Sequence, residues 1–481
     1  MRPLHLVLLA VLATENLLQA QNIQMTSWSQ LLADGGRVSW SVNNTIAYDH
    51  QGSPGPSGYF NVYMTTTSGG SQTCITCPSS PGASVLPGLQ TGNPTWTPDG
   101  RFLLFQAQAL PSQGSGALDF SGFPGEGWNN DVWATDTMGN FWQLTNQGRW
   151  GANGILTAAV VATGTDSGLP NAGTWTTTGG GGTGASGTFT ASGGNLLTVS
   201  VTNGGAGGFG GSGYTSNPVL VPSSGSIGTS TVSFIGSGGV IYITISPDGT
   251  KLAWGQRLVP GGANENQSPG NWALAVAAFS ESGGIPSISS TQYYTPGINK
   301  LYYEPHTFSL DSSTLFFMGN LDTGMNTYAR NIYSFNLSTQ VLFNLTKTLV
   351  NWNEYPTALP SVFGSNKITY MLYPQAGSIN PNCTSDYWVM NYDGTGNYQL
   401  TFFNTPGGQY YNPSQPVCMD THSWNPVGNQ LVAFPNYFAA NGHTGEPGPI
   451  WTLSIADVAV VNAVSSGAFP GSGFYPGSGL Q

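Results

Sequence analysis

Charged residues are scarce. Lys, Arg, Asp and Glu make up 6% of the 481 residues, where soluble domains ordinarily carry about 25%. The surface must therefore be solvated by Ser, Thr, Asn, Gln and backbone. Basic residues are rarest: ten Lys and Arg stand against twenty-one Asp and Glu, a formal net charge of −11. Polyphosphate recognition needs a basic footprint, so nucleic acid is excluded as a partner. Polybasic attachment to anionic lipid is excluded for the same reason. After the N-terminus no run approaches the ~18 apolar residues of a membrane-spanning helix. Helix-period patterns are nearly absent too, which argues against helical and α/β folds. Hydrophobic residues at 39% and aromatics at 12% supply enough apolar surface to offset chain entropy, so disorder is excluded.

Cysteine is sparse, and its four positions are informative. Cys74 and Cys77 form a single CxxC (TCITC), while Cys383 and Cys418 lie far away. A four-cysteine zinc site would show a second close pair, and a thioredoxin-type redox role would need a βαβ context. Structural cysteines in an oxidising compartment are the expectation. Three pairings are open, with Cys383–Cys418 favoured because these two fall in neighbouring repeats. The compartment agrees with the N-terminus. Arg2, the apolar run Leu4–Leu12 and the small residue Ala20 read as a secretory signal over residues 1–20.

What is abundant is Gly, with 68 residues, and a recurring hairpin. It reads TWTPDGRFLLF (Thr95–Phe105), TISPDGTKLAW (Thr244–Trp254), FSLDSSTLFF (Phe308–Phe317) and SWNPVGNQLVAF (Ser423–Phe434). Weaker copies begin at Trp40 and Pro360. Pro98 and Pro247 pre-set φ, Asp99 and Asp248 bond their own backbone, and Gly100 and Gly249 accept a positive φ. A second hairpin follows, as in DVWATDTMGNFWQLT (Asp131–Thr145), NIYSFNLSTQVLFNLT (Asn331–Thr346) and DYWVMNYDGTGNYQLT (Asp386–Thr401). Hairpin plus hairpin makes a four-stranded antiparallel sheet, and closing such sheets around an axis removes long exposed edges.

The expectation is an all-β, six-bladed β-propeller of four-stranded antiparallel blades. The blades fall at about 37–77, 93–146, 242–296, 302–347, 351–404 and 415–458. Met25–Leu32 is expected to complete the sixth and close the ring. Blades one and two occupy 21–157, and blades three to six occupy 240–462. Between them, 158–239 is rich in Gly, Ser and Thr yet holds strand-like LLTVSVTN, NPVLVP and STVSFI, so a small inserted β module is expected. Residues 463–481 form a Gly/Pro/Ser-rich tail.

The paired signatures TISPDGTKLAW and DYWVMNYDGTGNYQLT resemble TolB-type WD40-like propeller repeats. The resemblance covers about 37–146 and 240–458, departing where the turn Asp is lost, at Gly364 and Val427. It implies a six-bladed, extracytoplasmic propeller, most often a binding scaffold. Some propellers of this type are enzymes, notably oligogalacturonate lyases, and others belong to prolyl-oligopeptidase-like peptidases. The peptidase option needs a hydrolase domain, and no GxSxG elbow in a strand-to-helix setting occurs here.

In the family the strand entering each such turn is innermost. Its start would place Glu304, His306, Glu354, Tyr355, Asp420 and His422 at the central channel. Carboxylates with imidazoles suit a divalent metal such as Zn or Mn, and a carboxylate beside a His suits acid/base chemistry. Water-bridged channel polarity accounts for the same residues without either. Aromatic pairs and a neutral, Asn- and Gln-rich surface suit sugar rings. Asn43, Asn266, Asn336, Asn344 and Asn382 head N-x-[ST] sequons. The expected function is non-enzymatic binding or scaffolding, with a polysaccharide or surface protein as partner and self-association favoured by the low charge. The alternative is a metal-dependent polysaccharide lyase or hydrolase using the channel.

Overall fold

The computed structural model describes residues 23–51, 59–109, 130–145, 153–161, 164–201, 214, 216–237, 239–259, 271–298, 302–326, 329–360, 366–374, 384–408, 410–414, 416–436 and 448–457. The signal and tail expected from the sequence lie outside them, as do Cys383, Asn266 and Asn382. Regular structure among the described residues is β throughout, apart from one 3-10 turn at Ala83–Val85.

After β1 (Ile23–Gly35), the first sheet runs in order through β2 (Val38–Trp40), β3 (Thr45–Gln51), β4 (Phe60–Thr66) and β5 (Thr73–Cys74). The second is β6 (Thr91–Trp96), β7 (Leu103–Gln108), β8 (Asn130–Thr135) and β9 (Phe141–Gln143). The chain then leaves this pattern with β10 (Asn153–Val160). Next come β11 (Ala172–Thr178), β12 (Ser186–Ser192), β13 (Asn195–Val201) and β14 (Val219–Pro222), a sheet ordered β13-β12-β11-β14. β15 (Ser230–Ser237) returns to pair with β10.

The meander resumes with β16 (Val240–Ile245), β17 (Lys251–Val259), β18 (Asn271–Ser282) and β19 (Ile285–Tyr294). It continues through β20 (Tyr303–Phe308), β21 (Thr314–Gly319), β22 (Asn331–Asn336) and β23 (Leu342–Asn344). The next sheet is β24 (Trp352–Ala358), β25 (Lys367–Tyr373), β26 (Asp386–Asn391) and β27 (Tyr398–Gln399). The last sheet joins β28 (Cys418–Trp424), β29 (Gln430–Asn436) and β30 (Gly448–Asp457) to β1, which pairs with β30 from Ile23↔Asp457 onward. Among the described residues, seven antiparallel sheets of four strands result.

The recurring motifs have local causes. Asp99, Asp248 and Asp311 each accept the N–H two residues on, from Arg101, Thr250 and Ser313 at 3.0–3.1 Å. Thr97, Ser246 and Ser309 accept the N–H that re-enters the next strand. Where Val427 replaces the Asp, Asn425 takes over, its Oδ1 accepting Gly428 N at 2.8 Å and Gln430 N at 3.1 Å. The Leu-Thr endings form a second clasp. Thr145, Thr346 and Thr401 accept the N–H groups of Val132, Ile332 and Tyr387. Each hydroxyl also donates to Asp131, Asn331 or Asp386, at 2.7–2.9 Å. Outer strands of two or three residues offer few ladder bonds, and this hydroxyl supplies what they lack.

Apolar faces pack between neighbouring sheets. Leu104 and Val132 join Val240 and Trp254 in one core, and Val38 and Tyr48 join Val432 and Ile450 in another. The inner strands adjoin in the cyclic order β2, β6, β16, β20, β24, β28 and back to β2. The architecture is a β-propeller. The insertion has its own core of Trp175, Phe189, Tyr214 and Leu220. Asp166 staples it, accepting Leu196 N, Gly228 N and Thr229 N at 2.8–3.0 Å. Cys74 and Cys77 are bonded to each other. Cys418 is also disulfide-bonded.

Candidate functional site at the propeller axis

Inner strands carry β-bulges at mid-length. Register shifts fall between Gly92 and Thr95, Ile241 and Ile243, Pro305 and Thr307, Glu354 and Thr357, and Met419 and His422. A bulge inserts an unpaired residue and re-aims its side chain. Asn93, Tyr242, His306, Tyr355 and Asp420 occupy these places. Three of them have positive φ: Asn93 at 51°, Tyr242 at 43° and Tyr355 at 53°. Such backbone is costly for tyrosine and persists only where surroundings over-determine it. On the first sheet, Arg37 and Asp49 hold the corresponding place without a bulge. Arg37 N donates to Asp49 Oδ1 at 2.7 Å, and Asn93 N donates to Asp49 Oδ2 at 2.7 Å.

These side chains meet. Arg37 Nε donates to the Tyr242 hydroxyl at 3.0 Å. The Tyr242 ring lies 4.6 Å from His306 and 5.8 Å from Tyr355, and His306 lies 5.2 Å from Tyr355. The Tyr355 hydroxyl donates to Asp420, whose carboxylate also faces Arg37. The axis is thus closed at this level by the protein's own groups. Burial raises Asp420 above the usual carboxylate range, opposed by Arg37 and Tyr355. Burial likewise holds Tyr242 and Tyr355 well above their ordinary value, so both stay neutral donors.

The six residues read from the sequence divide between two settings. His306, Tyr355 and Asp420 belong to the axial plug. Glu304 adjoins it, its Oε1 3.4 Å from His306 Nε2, and neither atom makes a hydrogen bond. The other Glu304 oxygen accepts the Tyr302 hydroxyl at 2.7 Å. Glu354 is turned aside, accepting Trp352 Nε1 at 2.6 Å. Arg330 is buried over both partner rings, 5.3 Å from Tyr302 and 5.0 Å from Trp352, and is attracted by both glutamates. His422 faces the neighbouring sheet, where its Nε2 meets Thr369 Oγ1 at 2.7 Å. Burial pushes its imidazole down to about 3, so it is neutral.

Among the described residues no group of three or more His, Cys, Asp or Glu is placed to hold a metal ion. The donors do not converge as a Zn or Mn set would require. Arg37 and Tyr242 are axial residues that reading the sequence missed, and Asn93 shares the bulge position while its side chain bonds Gln106 at 2.8 Å. Counting back four residues from Thr97 and Ser246 would have found Asn93 and Tyr242. Arg37 precedes a weak repeat copy and carries no such signal.

No family model matches the chain, and no curated protein matches it. Among solved structures, TolB from Acinetobacter baumannii is 12% identical with a TM-score of 0.41, covering 87% of this chain and 65% of that one. The chain is a β-propeller similar to TolB. A puromycin-hydrolyzing peptidase from Mycobacterium tuberculosis is 12% identical with a TM-score of 0.37, covering 89% of this chain and 56% of that one. The propeller domain of the Trilobed protease from Pyrococcus furiosus is 8% identical with a TM-score of 0.33, covering 87% and 97%. The chain therefore spans about two thirds of that TolB and little more than half of the peptidase. These likenesses concern the fold and carry no argument about activity.

Proposed function

We propose that the chain is an exported six-bladed propeller acting as a non-enzymatic binding or scaffold protein, with a polysaccharide or surface protein as partner. The cyclic order of six inner strands supports the blade count. The observation that carries the binding reading is the filled axis. Arg37, Tyr242, His306, Tyr355 and Asp420 contact one another where a channel enzyme would hold substrate. Positive-φ tyrosines locked by polar partners make a rigid centre, and rigidity suits a platform whose faces do the binding. Glu304 and His306, with atoms still open for hydrogen bonds, are the residues by which a ligand at the axis would be held.

The test is retention of purified protein on immobilised neutral and acidic polysaccharides, with released products assayed in parallel. Binding without product release, retained in His306→Ala and His422→Ala, is the expected outcome for ligands on the faces. Binding lost in His306→Ala alone would place the ligand at the axis. Products that disappear in both variants, with stoichiometric Mn or Zn, would establish the lyase alternative instead.

A further inference from the structure

We propose that the Cys74–Cys77 disulfide is a thiol-exchange site, at which an external thiolate attacks Cys74 Sγ and Cys77 departs as the buried leaving group. The bond links residues three apart, so it closes a very short loop, the kind in which a crosslink restrains the unfolded chain least. Its position at the rim suggests a use other than stapling. β5 ends the first sheet at Cys74, and the disulfide turn continues the outer edge.

The two sulfurs are unlike. Cys74 is half-buried at the sheet edge, whereas Cys77 is fully buried beneath it. An incoming thiolate therefore meets Cys74 first, which fixes the direction of attack. Cys77 N–H donates to Cys74 Sγ at 3.1 Å, and the Tyr63 hydroxyl lies 3.5 Å from Cys77 Sγ. Burial raises the Tyr63 phenol above its ordinary value, so it remains a hydrogen-bond donor. Around Tyr63 stand Tyr48 at 5.7 Å and His50 at 5.4 Å, and His50 Nε2 is 3.0 Å from Asp34 Oδ2.

The exchange balances without any oxidant. The external sulfur forms a bond to Cys74 Sγ, the Cys74–Cys77 bond breaks, and its electron pair stays on Cys77 Sγ. Tyr63 O–H hydrogen-bonds that thiolate and lowers the cost of its departure. In reverse, Cys77 thiolate attacks Cys74 Sγ, expels the external thiolate and restores the disulfide. A second external thiolate would instead release fully reduced Cys74, stabilised by the Cys77 N–H. This assignment does not depend on what the propeller's faces bind.

The full-length protein is incubated with glutathione in one arm and a reduced CxxC oxidoreductase in the other, alkylated at intervals, and mapped by peptide mass spectrometry. Cys74–Cys77 is expected to open about tenfold or more faster than the disulfide holding buried Cys418. The faster arm identifies low-mass or protein thiol as the source. Tyr63→Phe should slow the opening several-fold. In Cys77→Ser, Cys74 should form a mixed disulfide with dithionitrobenzoate, releasing one thionitrobenzoate. Opening no faster than at Cys418 in both arms would overturn the assignment, and that comparison needs no variant to fold. Adducts found on Cys77 in place of Cys74 in the wild-type protein would overturn it equally.

Discussion

Thr401 is fully buried and works in two directions at once. Its hydroxyl accepts Tyr387 N–H and donates to Asp386. Thr401→Val keeps the shape and strands both partners, so it should cost about 2 to 3 kcal/mol in urea denaturation, whereas Thr401→Ser should cost under about 1. This residue was legible in the sequence as a repeated Leu-Thr, although its purpose was not. The turn aspartates were legible in both respects, because an Asp two residues before an N–H satisfies that group locally. Tyr242 and Arg37 were not. Their meeting joins residues 205 apart in sequence, and on the Tyr242 side it depends on a bulge that no local pattern announces.

At the scale of strands, the meander order followed from alternation and turn chemistry, and so did the pairing of Met25–Leu32 with the chain's other end. β1 is fixed in place by Trp28, which stacks on Trp451 at 4.3 Å and tilts against Phe403 at 4.7 Å. Trp28→Ala should destabilise the protein by about 2 to 3 kcal/mol, since this partly buried ring loses less than a fully buried one. Protection from amide exchange should fall first in β30. Gly255 in β17 has a different constraint. A Cβ there would meet Ile241 Cγ2 at 2.4 Å and the Tyr303 carbonyl at 2.5 Å. Gly255→Ala should cost about 1 to 3 kcal/mol by forcing β16 and β20 apart, read as a lowered urea midpoint.

For the molecule as a whole, buried carboxylates give stability an acid-side optimum. Burial pushes Asp386 up to about 6, against donors on Thr401, Phe403 and Asn404, and it raises Asp49 and Asp420 too. A raised folded-state value stabilises fully below the unfolded value near 3.8, and that contribution disappears as pH rises through about 6. Asp166 has the opposite sign. Desolvation opposes it, but Thr229, Leu196 and Gly228 donors hold it down at about 2. Its contribution is present above about 3.8 and disappears as pH falls toward 2. Thermal unfolding across pH 2 to 8 should peak near about pH 4, where the Asp166 contribution is complete and the decline from the raised carboxylates only begins. Asp386→Asn should flatten the decline above pH 5, and a melting temperature that rises from pH 6 to 8 would contradict this account.

Composition and repetition determined the class of fold by themselves. Alternating apolar strands cannot bury one face alone, and turns built from Pro, Asp and Gly fix where each hairpin reverses. They left three cysteine pairings open, and the Cys74–Cys77 bond is seen only in the folded chain. Only the tertiary structure decided which polar residues reach the axis and which face a neighbouring sheet. A single bulge moves every later side chain to the opposite face. For that reason Tyr242 is drawn in, while His422, beyond the bulge of its own strand, meets Thr369 of the neighbouring sheet.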